Sequence, residues 1–134
     1  MQRYLDGYVI PVSKRKLAAY RKLAQAGAAV WMRCGALQYV ECVGEDLKSA
    51  AKWGCVPFLK LAGARRGETV IFSFIVYRSR AHRDAVNARA VKDPLMSPER
   101  MQKTRMPFEL KRMAVGGFET MVLRDRPRSR RQSR

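Results

Sequence analysis

The sequence predicts an α+β domain: four strands and two helices in the order βαββαβ, with an antiparallel sheet and both helices on one face. Three observations carry this. Four stretches have the aromatic and β-branched content of strands. Two amphipathic stretches separate the first strand from the second and the third from the fourth. The chain has 134 residues, the length of one domain.

Tyr4 to Val12 reads as the first strand, with Pro11 near its end. Ser13 offers an N-cap for the helix that follows. From Lys14 to Arg33, Leu17, Tyr20, Ala24, Ala28 and Trp31 recur at steps of three or four residues, an apolar stripe. Gly35 is placed to end that helix. Ala36 to Gly44 is the second strand. Glu45 to Gly67 fits no single element, because Gly54 and Pro57 interrupt it and Gly63 and Gly67 bracket a basic turn. Trp53, Phe58, Leu59 and Leu61 are too apolar for a free loop, so the segment is expected to cover something, with Trp53 a plug or lid.

Glu68 to Tyr77 is the clearest strand, with Val70, Phe72, Phe74 and Val76 on one face and Ile71, Ser73, Ile75 and Tyr77 on the other. Both faces are apolar, so both are expected to be covered. Ser79 can cap a second helix over Arg80 to Lys92, whose Ala81, Ala85 and Ala88 suggest a small-residue face against the sheet. Asp93-Pro94 stops it. Pro94 to Lys103 reads as a short irregular helix and Met113 to Leu123 as the last strand. This is the split βαβ, ferredoxin-like layout. One helical layer leaves the sheet's other face bare, and the economical cover is a second copy packed face to face, a homodimer around a shared interior.

Composition narrows the partners. Hydrophobic residues make up 47%, which excludes wholesale disorder. No apolar run approaches the ~18 residues of a membrane span, and Asp6 interrupts the stretch where a secretory leader would be apolar, so a cytoplasmic location without membrane association is expected. The net charge is +17, of which the last eleven residues carry +5. The fold is therefore assigned to residues 1–123 and a disordered arginine-rich tail to 124–134. Arg124, Arg126, Arg128, Arg130, Arg131 and Arg134 are the candidate nucleic-acid contacts, for weak, sequence-independent binding. Cys34, Cys42 and Cys55 form no CxxC pair, and His82 is the one histidine, so no metal site is expected.

Several strings together resemble the YbaA-like family of small bacterial proteins, a domain of unknown function in the dimeric α+β barrel superfamily. They are Tyr4-Leu5-Asp6-Gly7-Tyr8-Val9-Ile10-Pro11-Val12, Val70-Ile71-Phe72-Ser73-Phe74-Ile75, Arg83-Asp84-Ala85-Val86-Asn87, Met106-Pro107-Phe108-Glu109 and Gly116-Gly117-Phe118-Glu119. The resemblance implies a ferredoxin-like protomer and a dimer but no activity, since the family has no settled one; no cofactor is expected. The segment Lys48 to Leu61 and the arginine tail depart from it.

Asp6 and Glu41 each sit between apolar strand neighbours. They are expected to reach the barrel interior and converge there with Glu119, where acids can act in proton transfer, or else to pair with an arginine such as Arg112. Tyr8, Tyr39 and Tyr77 are expected to line that interior. The leading functional expectation is a small molecule bound there. A cofactor-free monooxygenase competes with it, since superfamily members oxidise polyketides or degrade haem in such a cavity. The haem variant is disfavoured: His82 and Asn87, five apart on a helix, point about 140° apart. RNA binding is the third expectation, through the basic surface and tail. Phe72, Phe74 and Tyr77 echo the stacking aromatics of an RNA-recognition sheet without its motif spacing.

Overall fold

The computed structural model describes residues 2–103 and 105–127. Strand β1 (Tyr4–Ser13) runs through a 3-10 turn, Lys14–Lys16, into helix α1 (Leu17–Arg33), followed by β2 (Gln38–Val43). A 3-10 turn (Ser49–Trp53) and the one-turn helix α2 (Phe58–Leu61) lead to β3 (Glu68–Tyr77). Then come α3 (Arg80–Ala90), a 3-10 turn (Pro94–Met96), α4 (Pro98–Lys103), a 3-10 turn (Leu110–Arg112) and β4 (Ala114–Glu119). The sheet order is β2-β3-β1-β4 and every neighbouring pair is antiparallel. The fold is α+β and ferredoxin-like, as the element order implied.

Local chemistry explains most of the ends. Ser79 caps α3, its hydroxyl accepting the His82 N–H at 3.1 Å. Gly35 follows α1 with φ +116°, a conformation that side chains resist. Ser13 is a corrected expectation: its side chain makes no cap bond, and three 3-10 residues precede α1. The last strand ends at Glu119 rather than Leu123.

Strand parity sorts the sheet into two faces. Tyr4, Asp6, Tyr8, Ile10 and Val12 of β1 face the helices, as do Ile71, Ser73, Ile75 and Tyr77 of β3. On that face Val12, Val30, Tyr77 and Val86 are fully buried. The α3 face differs from the sequence expectation. Ala81, Ala85 and Ala88 point to solvent, while Val86 and Ala90 are buried. The reason is Arg83, on the opposite side of α3 from that stripe, which turns inward and pairs with the buried Asp6 at 2.6 Å, under the Tyr4 ring at 5.0 Å. Asn87, one turn on, accepts from Trp31 Nε1 at 3.0 Å and from the Tyr77 hydroxyl at 3.4 Å. Polar bonds, together with the buried Val86 and Ala90 rather than the expected alanine stripe, therefore fix α3 to α1 and the sheet.

The opposite face is apolar and largely open. Its rows read Gln38-Val76-Leu5-Phe118, Val40-Phe74-Gly7-Gly116 and Cys42-Phe72-Val9-Ala114, with the Gln38 amide at the β2 edge and no charged side chain among them. Phe58 of α2 packs on Phe72, ring centroids 6.0 Å apart, so the segment the sequence left unassigned covers part of β3. Trp53 is neither plug nor lid: it is 76% exposed, with Lys52 over its ring.

Removing one partner of a buried pair leaves an uncompensated charge. Arg83→Ala should therefore cost about 3–5 kcal/mol of stability in urea unfolding at neutral pH. A loss below about 1 kcal/mol would place the pair with exposed ones.

Candidate functional site

A cavity of about 500 Å³ lies between the helix-facing side of the sheet and α1. That is an ordinary size for a small-molecule site. The register shows how it opens. Tyr8 of β1, Ser73 of β3 and Glu41 of β2 form one row across the sheet. Ser73 is the small member, so the middle of the row is low between a phenol and a carboxylate. The next row, Asp6-Ile75-Tyr39, adds a second phenol at the cavity wall. From α1 come Tyr20, Leu23, Gly27, Val30 and Trp31, and from the strap before β4 come Met106, Pro107 and Phe108.

Glu41 is the polar centre. The Tyr20 hydroxyl donates to it, 2.8 Å from Oε1 and 3.0 Å from Oε2, and the Tyr39 hydroxyl lies 3.5 Å from Oε2. Gly27 permits this grouping, since a Cβ there would stand 3.0 Å from the Tyr39 hydroxyl. Burial first, then the bond to Glu41, pushes the Tyr20 phenol well above its ordinary value. Burial and the Glu41 charge push Tyr39 the same way. Tyr8 is pushed up to about 12, by burial first and then by the charges of Asp6 and Glu41, against the pull of Arg83. Tyr77 is raised by burial and by Asp6. All four phenols are therefore neutral near pH 7; Tyr20 and Tyr39 present their hydroxyls to Glu41, while Tyr77 donates to Asn87.

The structure separates the residues that the sequence singled out. Tyr8, Tyr39 and Glu41 line the cavity together. Asp6 and Tyr77 face the same side of the sheet but are held by Arg83 and Asn87. Glu119 is exposed and does not converge with Glu41: β2 and β4 are opposite edges of the sheet, three strand spacings or about 14 Å apart. Arg112 pairs with neither Asp6 nor Glu41. It grips Glu68 with two bonds of 2.7 and 2.8 Å and donates to the Gly63 carbonyl at 3.0 Å. Trp31 and Asn87 meet, while His82 stands apart, its Nδ1 accepting the Arg78 N–H at 2.9 Å. Lys14, Arg15 and Lys16 are exposed. Arg124 and Arg126 are exposed too, and Arg128, Arg130, Arg131 and Arg134 lie outside the described residues.

Three participants escaped the sequence reading. Tyr20 looked like a core residue of the α1 stripe. Gly27 sat unremarked in the same helix. Ser73 was the polar interruption of an otherwise apolar strand, and that interruption was the available signal.

With the geometry in place, known proteins can be set beside it. The model of a family described as "Protein of unknown function (DUF1428)" matches residues 3–110. The chain belongs to this family. It is 37% identical over 120 residues to the uncharacterised protein YbaA of Escherichia coli K12, covering 90% of this chain and 97% of that one. The YbaA of Shigella flexneri matches to the same extent. Among solved structures, a dimeric ferredoxin-like protein from an uncultured marine organism aligns with a TM-score of 0.52 at 11% identity, over 93% of this chain and 99% of that one. That likeness is one of fold. The family match takes in every cavity-lining residue named above and stops short of β4.

The Arg112 guanidinium holds the Glu68 carboxyl at about 2, against an ordinary 4.5. The folded-state value is the lower one, so this contribution is complete above about pH 4.5 and drains away as the pH falls towards 2. Arg112→Gln should flatten that limb of a stability-against-pH curve, read from urea midpoints. An unchanged slope would mean the pair is not formed in solution.

Proposed function

We propose that the protein binds a small, mostly apolar molecule in the cavity under α1, through a hydroxyl or other donor directed at Glu41. The observation that carries this is a carboxylate beside a cavity of about 500 Å³, bonded to neutral phenols rather than to a cation. Asp6 has an arginine and serves the fold, whereas Glu41 keeps its charge available to a ligand. Most of the other lining groups are aromatic or aliphatic, with Ser73 and the cations Lys22, Arg100 and Arg105 the exceptions, which favours an aromatic ligand body.

The simple probe is 2-naphthol, titrated calorimetrically into the full chain. Saturable binding is expected, weakened roughly tenfold by Glu41→Gln, because a hydrogen bond to a charged group is replaced by one to a neutral amide. Absence of binding, or equal affinity in the variant, would overturn the proposal.

The same reading makes the working unit a homodimer joined through the open sheet face. Two chains of net charge +17 repel each other, and the three rows around Phe72, Phe74 and Phe118 offer an uncharged, self-complementary surface. Phe72 is 46% and Phe118 60% exposed in the single chain, an apolar cost that association removes. Light scattering should give twice the 15.3 kDa chain mass, and Phe72→Glu with Phe118→Glu should restore the single mass. A wild-type monomer at micromolar concentration would overturn the dimer and leave those aromatics free to stack on RNA bases.

A further inference from the structure

We propose that the natural ligand is an anion of defined polarity, a hydroxyaryl carboxylate that enters hydroxyl first and leaves its carboxylate at the cavity mouth. This rests on the cavity reading above and adds the ligand's charge and direction. Among the described lining residues Glu41 is the one acid, while Lys22, Arg100 and Arg105 are all cations. The two signs occupy different places. Glu41 sits on the sheet beneath α1, bonded to the buried Tyr20. Lys22 and Arg105 are exposed and line the same space from its two rims, one on α1 and one on the strap.

Helix geometry builds the α1 rim. Ala19, Lys22 and Ala26 follow one another at helical spacing, one step round from the inward stripe of Leu23, Gly27 and Val30. The two alanines keep that rim low and leave Lys22 as its charged member. On the other side Phe108 packs edge-on against Tyr20, ring centroids 5.8 Å apart, which anchors the strap that carries Arg105. The same lining includes Leu23, Trp31, Ile75 and Phe108, which supply apolar wall for a ligand body.

A neutral ligand would ignore the rim, and a ligand with its negative charge beside Glu41 would be repelled. A molecule that fits both ends carries a donor at one end, an anion at the other and an aromatic body between them. A planar carboxylate also suits the fork of an arginine better than a point anion does. Lys22 and Arg105 then act at long range as well, since exposed cations around a low-dielectric mouth raise the local concentration of anions.

The test compares three probes by calorimetry on the full chain: 6-hydroxy-2-naphthoate, 2-naphthol without the anion, and 6-methoxy-2-naphthoate without the donor. The hydroxynaphthoate should bind roughly three- to tenfold tighter than 2-naphthol at low salt, the scale of two exposed ion pairs. The preference should shrink as salt rises. It should fall to about one in the Lys22→Ala, Arg105→Ala double variant, whose fold is checked by circular dichroism; both side chains are exposed, so folding should survive. The methoxy compound should bind at least about threefold more weakly than the hydroxynaphthoate, having lost the bond to Glu41. Equal or weaker binding of hydroxynaphthoate relative to 2-naphthol, or a preference that survives the double variant, would overturn the anion proposal while the cavity reading stands. Failure of 2-naphthol itself to bind would overturn both.

Discussion

Strand β3 has apolar side chains on both faces, and the chain supplies one layer of helices to cover them. Both of the proposed sites follow from that imbalance. On the covered side, Ile71, Ile75 and Tyr77 make a core with α1 and α3. Ser73 interrupts that row and leaves room beneath α1. On the uncovered side, Phe72 and Phe74 stand in an uncharged field that only α2 partly shields. Two sites of different character thus arise back to back on one strand, a polar-centred cavity and a flat apolar surface. Because side chains alternate with a period of two, no single residue of β3 can serve both.

The two acids on the covered side show how partner choice separates structure from function. Asp6 is 4% exposed and meets a guanidinium, which neutralises it and ties α3 to β1. Glu41 lies on an edge strand and, among the described residues, is hydrogen-bonded by phenols, whose hydroxyls solvate its charge without cancelling it. A carboxylate so held is stable enough to keep and still attracts a donor or a positive dipole. Burial first, and these charges second, hold the phenols of Tyr8, Tyr20 and Tyr39 in their protonated form, so the site presents a carboxylate among several hydroxyls.

The element order, β1, β3 and the end of α1 at Gly35 could be read from the sequence, because each rests on short-range periodicity or on one residue's backbone preference. What could not be read was direction. Asp6, Glu41 and Tyr77 were expected in an interior between two sheets, yet they face the helices, since parity is fixed only when one strand's covered side is known. The expected meeting of Glu41 with Glu119 failed for a topological reason, as the order β2-β3-β1-β4 puts them on opposite edges. The alanine face expected of α3 failed because a composition rule overlooked Arg83, whose buried partner lies 77 positions earlier. Pairings of that range leave no trace in local pattern.

The strap from Arg105 to Met113 ties these parts together. Arg112 fastens one end to Glu68 at the start of β3, and Phe108 fastens the middle to Tyr20 on α1. The strap therefore borrows its position from the same two elements that form the cavity's floor and roof. It also delivers the chain into β4, which pairs with β1 and places Phe118 beside Leu5 on the open face. Cavity access and the open face are consequently set by one segment, yet their side chains remain separate: Phe108 and Met106 belong to the first and Phe118 to the second. Under the dimer and ligand readings proposed above, a chain of net charge +17 would associate through its neutral face while keeping the cationic rim of its cavity in solvent, open to an anion.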